Sequence, residues 1–243
     1  MRMLTFANRN TKEILRDPLN LTFGLGFPLV LILLLSAIQA NVPVKLFEIQ
    51  HLTPGITVFG LSFMTLFSAT IISKDRSSSL LQRLYTTPLT PMDFILGYTL
   101  PIIPIAAAQS IICYIVAIVL DLKVTVNVVY AIAFIIPISI LYIALGLLCG
   151  SILNDKQVGG VCGAVLTNLS AWLSGTWFDL ALVGGAFKAI AYVLPFFHAV
   201  EMERAILAGN FDGIFPHIWW VLGYAAVSLV AAILLFLRQM KKQ

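Results

Sequence analysis

Six apolar runs, each long enough to cross a lipid bilayer, constrain this 243-residue chain more than any other feature. A transmembrane helix needs about 20 predominantly apolar residues. The runs cover residues 21–40, 54–73, 94–120, 127–153, 157–178 and 217–237, and none of them contains Asp, Glu, Lys or Arg. Because 60% of the residues are hydrophobic and only 11% are charged, the composition is that of a membrane protein. We therefore predict an all-α membrane protein with six transmembrane helices, forming a single transmembrane domain over residues 1–243.

The basic residues are distributed unequally between the two sides of these spans. One side receives Arg2, Arg9, Lys12, Arg16, Lys74, Arg76, Arg83, Lys156, Arg238, Lys241 and Lys242. The other side receives only Lys45, Lys123, Lys188 and Arg204. Since Lys and Arg concentrate in cytoplasmic loops, the sequence predicts a multi-pass protein of the cytoplasmic (inner) membrane with both termini in the cytoplasm.

Residues 1–17 have the pattern of an amphipathic helix. Apolar Leu4, Ala7, Ile14 and Leu15 alternate with the charged residues Arg9, Lys12, Glu13 and Arg16. This spacing predicts an N-terminal interface helix that lies along the inner membrane surface and ends at Asp17-Pro18. The alternative is an ordinary basic flank that only sets the topology.

The cytoplasmic stretch 74–91, between the second and third spans, contains a second amphipathic pattern. Its middle reads Leu80-Leu81-Gln82-Arg83-Leu84-Tyr85, in which apolar side chains recur at helical spacing. A polar linker between spans does not need such an apolar stripe. We interpret the stretch as a docking surface for a partner.

The second span carries an aromatic ridge formed by Phe59, Phe63 and Phe67, which are one helical turn apart. Hydroxyl-bearing residues surround the ridge: Thr57, Ser62, Thr65, Ser68 and Thr70. Small polar residues commonly mediate helix packing in membranes. The ridge could equally line a route for an amphiphilic substrate, and the sequence leaves the two interpretations open.

Prolines and glycines predict where the remaining helices break or approach each other. Pro101 and Pro104 should kink or break the third span. Two Gly-x-x-x-Gly motifs, Gly146 with Gly150 and Gly159 with Gly163, permit close helix contacts. Within residues 179–212, two apolar segments at 186–194 and 196–208 are too short to span, and they predict re-entrant or outer interfacial helices.

The sequence contains little that indicates catalysis. His198, Glu201 and His217 are candidate metal ligands, but no second pair has the spacing of a zinc site, so we favour a local polar network and expect no metal. A nucleophile motif and a phosphate-binding loop are both absent from the sequence. The lack of Asp, Glu, Lys and Arg in the spans disfavours an ion-coupled carrier. A channel, an ATP-independent scaffold or sensor component, and a transporter driven by another subunit remain, with a membrane metalloenzyme less favoured.

Five segments appear in an order that resembles a known family. They are Arg16-Asp17-Pro18, Leu80-Leu81-Gln82-Arg83-Leu84-Tyr85-Thr86-Thr87-Pro88-Leu89, Asn154-Asp155-Lys156-Gln157, Leu173-Ser174-Gly175-Thr176-Trp177-Phe178 and Leu194-Pro195-Phe196-Phe197-His198-Ala199-Val200-Glu201. Together they resemble the permease subunits of ABC-2 type exporters, including bacterial drug and antibiotic-resistance exporters. The resemblance covers nearly the whole chain.

The resemblance implies a half-transporter with no catalytic residue and no cofactor of its own. Two permeases, identical or related, would pair in the bilayer, and each would dock a separate ABC ATP-binding subunit that binds ATP and Mg²⁺. The cargo would be an amphiphilic drug, antibiotic, peptide or lipid that leaves the cytoplasm or the inner leaflet, and no nucleic acid is involved.

The resemblance also assigns roles to particular residues. The coupling helix would present Leu80, Leu81, Arg83, Leu84 and Tyr85 to the ATP-binding subunit. The interface helix would contribute Leu4, Arg9, Lys12 and Arg16. The substrate path would be lined by Phe59, Phe63, Phe67, Trp172 and Trp177.

Overall fold

The structure, a computed structural model, describes residues 2–43, 47–78, 80 and 90–240. Within these residues the regular secondary structure is helical, and no strand occurs. The first six α-helices are α1 (Arg2–Leu15), α2 (Pro18–Asn41), α3 (Ile49–Ser77), α4 (Pro91–Thr99), α5 (Ile102–Val119) and α6 (Val126–Ile152). They are followed by α7 (Asp155–Val158), a π-helix (Gly159–Leu166), α8 (Thr167–Leu173), α9 (Leu180–Val183), α10 (Gly185–Val193), α11 (Pro195–Leu207), a 3₁₀-helix (Phe211–Gly213) and α12 (Ile214–Met240). The predicted all-α fold is confirmed.

Five segments are long and apolar enough to cross a membrane, and they confirm five of the predicted spans. They are Pro18–Asn41, Ile49–Ser77, Met92–Val119, Val126–Ile152 and Phe211–Arg238. The run predicted at 157–178 is divided instead among α7, the π-helix and α8, so no single α-helix there reaches spanning length. Glycines at 159, 160 and 163, which have weak helix propensity, coincide with the π-helical turn. The sixth span stays a prediction.

The helix α3 lies at the centre of the bundle and is buried along almost its whole length. A Cβ on Gly146 of α6 would stand 2.4 Å from the carbonyl oxygen of Thr65, so only glycine allows this approach of α6 to α3. The Thr65 hydroxyl donates to the carbonyl oxygen of Tyr142 at 2.8 Å across the same contact. The first glycine motif therefore packs α3 against α6. Gly159, in the second motif, has open space around its Cβ position.

The proline and short-helix predictions also match the structure. The third span is interrupted at Leu100–Pro101, which separates α4 from α5, because proline cannot continue the hydrogen-bond ladder. The helix α4 begins with a capping box in which Thr90 and Asp93 bond each other's backbone N–H groups. The helices α10 and α11 occupy the two short apolar segments predicted between residues 179 and 212.

Candidate coupling site and substrate route

The helix α1 packs one face on the bundle and leaves its basic face exposed. Phe6, Ala7, Asn10 and Ile14 are buried. The rings of Phe6 and Tyr98 of α4 lie 5.0 Å apart at the edge-to-face angle. Asn10 donates its side-chain N–H to the carbonyl oxygen of Gly97 at 2.9 Å. The predicted apolar face is thus correct for Ala7 and Ile14, and it omitted Phe6 and Asn10.

The remaining predicted residues of α1 face outward or join the bundle through charge. Leu4 and Leu15 are exposed and line an open apolar groove together with Leu21, Leu25 and residues 100–108. Lys12 and Arg16 are exposed and line a separate, polar cavity. Arg9 is the one predicted basic residue that reaches inward.

Arg9 binds the buried carboxylate of Asp75 near the end of α3. Its Nη1 and Nη2 atoms donate to Asp75 Oδ2 and Oδ1 at 2.5 and 2.6 Å, which is the bidentate geometry of the strongest ion pairs. The hydroxyl of Tyr98 donates to Asp75 Oδ2 at 2.9 Å. Burial lowers the pKa of Arg9, but the hydrogen bonds and charge of Asp75, with the charge of Glu13, outweigh it and raise the net value. Asp75 therefore joins α1, α3 and α4 at one point.

The next residue, Arg76, ties the same end of α3 to α6. Its guanidinium donates to the carbonyl oxygens of Ser151 and Leu153, where α6 ends. A cation at a helix C-terminus satisfies carbonyls that lack an intrahelical partner. Ser73 donates to Asp155 of α7 at 3.3 Å. We call this set of contacts around Asp75 and Arg76 the α3-end network.

The α3-end network lies directly before the stretch predicted to be the coupling helix. Of the predicted coupling residues, Leu80 is half-buried in the structure. Leu81, Arg83, Leu84 and Tyr85 lie outside the described residues. Their role in docking stays a prediction.

The aromatic ridge of α3 is buried against α2 and the segment after α8. The ring centroids of Phe59 and Phe63 lie 6.1 Å apart, and Phe59 meets Trp177 at 5.6 Å. Phe27 of α2 contacts both phenylalanines at 6.1 Å and is itself exposed on the outer surface of the bundle. Phe67 packs against Gly24, where a Cβ would stand 2.5 Å from the ring. The structure therefore brings together Phe59, Phe63 and Trp177 and continues this aromatic cluster to the surface at Phe27.

Trp172, the fifth residue predicted for the substrate path, does not join this cluster. Its side chain is exposed and meets Phe178 edge-on at 6.4 Å. The hydroxyls of Thr65 and Ser68 bond backbone carbonyls of α6 and α3. For these two hydroxyls the packing interpretation is the one the contacts support.

The far end of the bundle, opposite α1, holds the polar group formed by His198, Glu201, Arg204 and His217. The Nδ1 atoms of His198 and His217 lie 2.8 Å apart, and His198 Nε2 lies 2.9 Å from the carbonyl oxygen of Tyr192. His198 Nε2 must therefore carry a proton, and burial lowers the pKa of His198. Glu201 Oε1 accepts from Arg204 Nη1 at 2.7 Å.

These contacts are those of a local polar network, and the expectation of no metal stays a prediction. The two histidines face each other through the nitrogens that a shared ion would need, and Glu201 is occupied by Arg204. Among the described residues, no group of three or more His, Cys, Asp or Glu has a metal-binding arrangement. Arg204 also donates to the carbonyl oxygens of Gly175 and His51 at 3.0 and 3.3 Å. The group therefore joins α11 to the start of α3 and to the loop after α8.

Two buried acids were not predicted from the sequence as parts of a site. Asp75 stood in a charged stretch that reads as solvent-exposed. Glu203 stood in a segment too short to span, yet α11 places it fully inside the bundle, where it accepts a hydrogen bond from Tyr114 at 2.7 Å. Helical spacing carried a signal for Glu203, since it lies on the face of α11 shared with the buried Phe196, Ala199, Val200 and Ile206.

The fold and these contacts define a polytopic helical membrane protein with a central buried helix whose end is tied to a surface helix. A family model described as ABC-2 type transporter matches residues 2–208. The chain therefore belongs to the ABC-2 type transporter family, which confirms the resemblance inferred from its motifs. No curated protein gives a match to the chain. As a member of this family it is an integral membrane protein and the permease component of an ABC transporter, the partner of an ABC ATP-binding subunit.

Proposed function

We propose that this chain is the permease subunit of an ATP-driven exporter that moves an amphiphilic molecule out of the cytoplasm or the inner leaflet. A separate ATP-binding subunit docks on the stretch 74–91 and supplies the energy. The observation that carries the proposal is the α3-end network, because it connects the first residues of that stretch to the central helix of the bundle.

A docking site that drives transport needs a stiff connection to the membrane helices. Asp75 and Arg76 fix the end of α3 to α1, α4 and α6 through hydrogen bonds that include a bidentate ion pair. A displacement of residues 80–89 would therefore move α3 together with the helices around it. This supports a conformational change of packed helices in which the permease opens a route for the substrate.

The distribution of charge supports an orientation with the α3-end network in the cytoplasm. Arg9, Lys12, Arg16, Lys74 and Arg76 all lie at this end of the bundle. Positively charged residues near span ends favour the cytoplasmic side. In this orientation the termini are cytoplasmic and α9, α10 and α11 lie toward the outside.

The aromatic cluster supports an amphiphilic cargo and a second permease. Phe59 and Phe63 are buried in the single chain and Trp177 is half-buried, and the cluster reaches the surface at Phe27 of α2. A second permease packed against α2 would place the two clusters on either side of the subunit interface. An apolar, aromatic route of this kind favours drugs, antibiotics, peptides or lipids over ions.

Substitution of Leu84 in the docking stretch tests the proposal. We expect Leu84→Asp to abolish co-purification with a co-expressed ABC ATP-binding subunit, because a charge would replace an apolar docking contact. The matched control is Leu182→Asp, which changes a highly exposed leucine in α9 at the far end. The control should retain the complex.

Transport is then measured in vesicles that contain the complex, with and without ATP. ATP-dependent loss of a fluorescent amphiphile from the inner leaflet is the expected result. The proposal fails if Leu84→Asp folds and keeps the complex intact, or if the cellular effect of the chain persists with an ATP-binding subunit that cannot hydrolyse ATP.

A further inference from the structure

Glu203 is a fully buried acid whose hydrogen bonds are only half satisfied. Its Oε1 atom accepts from the Tyr114 hydroxyl of α5 at 2.7 Å. Its Oε2 atom is buried and has no hydrogen-bond partner in the described part of the chain. Native proteins rarely leave such a group unpaired, so its state requires an explanation.

A positive charge does not compensate Glu203. The neighbouring Arg204 points away from it, toward Glu201 and the carbonyl oxygen of Gly175. Across the residues that the structure describes, no basic side chain lies within 4.0 Å of the Glu203 carboxyl group. The part of α3 between residues 52 and 73 contributes no charged residue at all.

The other titratable groups on the helices around α11 are engaged elsewhere. The Tyr142 hydroxyl of α6 bonds Ser170, the Tyr224 hydroxyl of α12 bonds the carbonyl of Val193, and His217 of α12 bonds His198. Other titratable side chains on these elements also have no recorded contact with Glu203. They are His51 on α3, Cys113 on α5, Tyr130 and Cys149 on α6, Lys188 and Tyr192 on α10, Asp212 in the 3₁₀-helix, and Arg238 on α12. Tyr114 is therefore the titratable side chain that faces Glu203.

An ionised carboxylate in this position is strongly unfavourable, since one hydroxyl donor does not replace the lost hydration. The neutral acid avoids most of that cost. Burial accordingly raises the pKa of Glu203 to about 8, and the hydrogen bond from Tyr114 opposes the rise. The unpaired Oε2 atom and the raised pKa of Glu203 therefore both favour the neutral acid.

We propose that Glu203 is a proton-binding site: it holds a proton at neutral pH, and this proton keeps α11 seated in the bundle. The ligand is the proton itself, exchanged with water when α11 moves. Deprotonation leaves a buried charge that favours withdrawal of α11 from the bundle. The position of α11 and the pH are thereby coupled.

Exchange of this proton requires access to water. Glu201, Arg204, Ala205, Leu207 and Ala208, but not Glu203, line a cavity of about 710 Å³ at the far end. With 3.6 residues per turn, Glu203 lies about 200° around the helix from Glu201. Leu207, one helical turn after Glu203, lines the cavity, so withdrawal of α11 would bring the carboxyl group to water.

Infrared spectroscopy of the full chain in lipid nanodiscs tests the site directly. At pH 7 we expect a C=O stretching band of a protonated carboxylic acid that is sensitive to deuterium exchange. The band should disappear in Glu203→Gln and remain in Glu201→Gln, the acid on the opposite face of the same helix. Absence of the band in the unmodified chain, or its persistence in Glu203→Gln, would overturn the proposal.

Unfolding measured across pH 4.5 to 9 gives a second, independent readout. The folded chain keeps the Glu203 proton up to a pH of about 8, whereas the unfolded chain releases it near pH 4.5. The contribution of protonated Glu203 to the free energy of unfolding is therefore complete below pH 4.5 and is lost as the pH rises to about 8. In this window the ratio of unfolding constants between the unmodified chain and Glu203→Gln should change by up to about tenfold for each pH unit.

Tyr114→Phe keeps the test decisive if Glu203→Gln fails to fold. Loss of the hydroxyl donor disfavours the carboxylate, so the loss of stability should extend to higher pH than in the unmodified chain. An unchanged pH profile in Tyr114→Phe would contradict the proposal. Both readouts use the permease chain alone, so they do not depend on export or on the ATP-binding subunit.

Discussion

Asp75 and Glu203, the two buried acids of this permease, each accept a hydrogen bond from a tyrosine hydroxyl, but the charged groups around them differ. The Tyr98 hydroxyl donates to Asp75 at 2.9 Å, and the Tyr114 hydroxyl donates to Glu203 at 2.7 Å. Asp75 also receives two hydrogen bonds from Arg9, whereas in the described part of the chain no basic side chain lies within 4.0 Å of Glu203. The guanidinium of Arg9 is therefore the difference between the ion pair at Asp75 and the proton-binding site at Glu203.

Their positions in the fold explain the difference. Asp75 lies at the end of α3, where the Arg9 side chain can bind it and still keep 36% of its surface exposed. Glu203 lies among the helices, where a cation would also be buried and costly. The α3 end is consequently suited to transmit a displacement through a fixed connection. The α11 end is suited to respond to protonation.

Asp75→Ala should have the largest effect on this comparison. It leaves the Arg9 guanidinium without its main partner, so we expect a loss of about 3–5 kcal/mol in the free energy of unfolding. Unfolding of the purified chain in mixed micelles measures the effect. On the proposed function, co-purification with the ATP-binding subunit should weaken as well.

Glu13→Ala is the matched control for Asp75→Ala. Glu13 also binds Arg9, at 2.7 Å, but its side chain is 35% exposed and the pair joins residues four apart on one helix. Such pairs contribute about 0.3–0.5 kcal/mol. Equal losses in the two variants would show that Asp75 is not the residue that fixes α1 to α3.

Arg9→Lys should have an intermediate effect. Lysine keeps the positive charge but cannot donate two parallel hydrogen bonds to the Asp75 carboxylate. We expect a loss of about 1.5–3 kcal/mol, the contribution of one hydrogen bond to a charged group. The same unfolding measurement checks the result, and a variant as stable as the unmodified chain would mean that charge alone holds α1 in place.

Hydropathy predicted much of this fold because spanning length and apolar composition are local properties. Five of the spans, the proline break before α5 and the two short helices α10 and α11 all follow from such local patterns. The run predicted at 157–178 did not form one long α-helix, since its glycines coincide with a π-helical turn that composition does not reveal.

The two acids were missed because their burial depends on partners distant in sequence. Asp75 is bound by a residue 66 positions away and Glu203 by one 89 positions away. In the sequence, Lys74-Asp75-Arg76 reads as a solvated charged stretch, and Glu203 stands beside Glu201 and Arg204 in a segment with three charges. Only the packing of α11 among α3, α6 and α12 shows that Glu203 is the fully buried one of these three side chains.

The smallest and most discriminating effect should come from removing each tyrosine hydroxyl in turn. At pH 7 we expect Tyr98→Phe to cost about 1.5 kcal/mol, because two bonds from Arg9 remain, and Tyr114→Phe to cost about 1 kcal/mol, the value of a bond to a neutral acid.

The costs should diverge above pH 8. Ionised Glu203 would then depend on Tyr114 alone, so the cost of Tyr114→Phe should rise with pH. The cost of Tyr98→Phe should stay constant, since Arg9 remains charged throughout. Two parallel pH profiles would mean that both carboxyl groups are in the same protonation state.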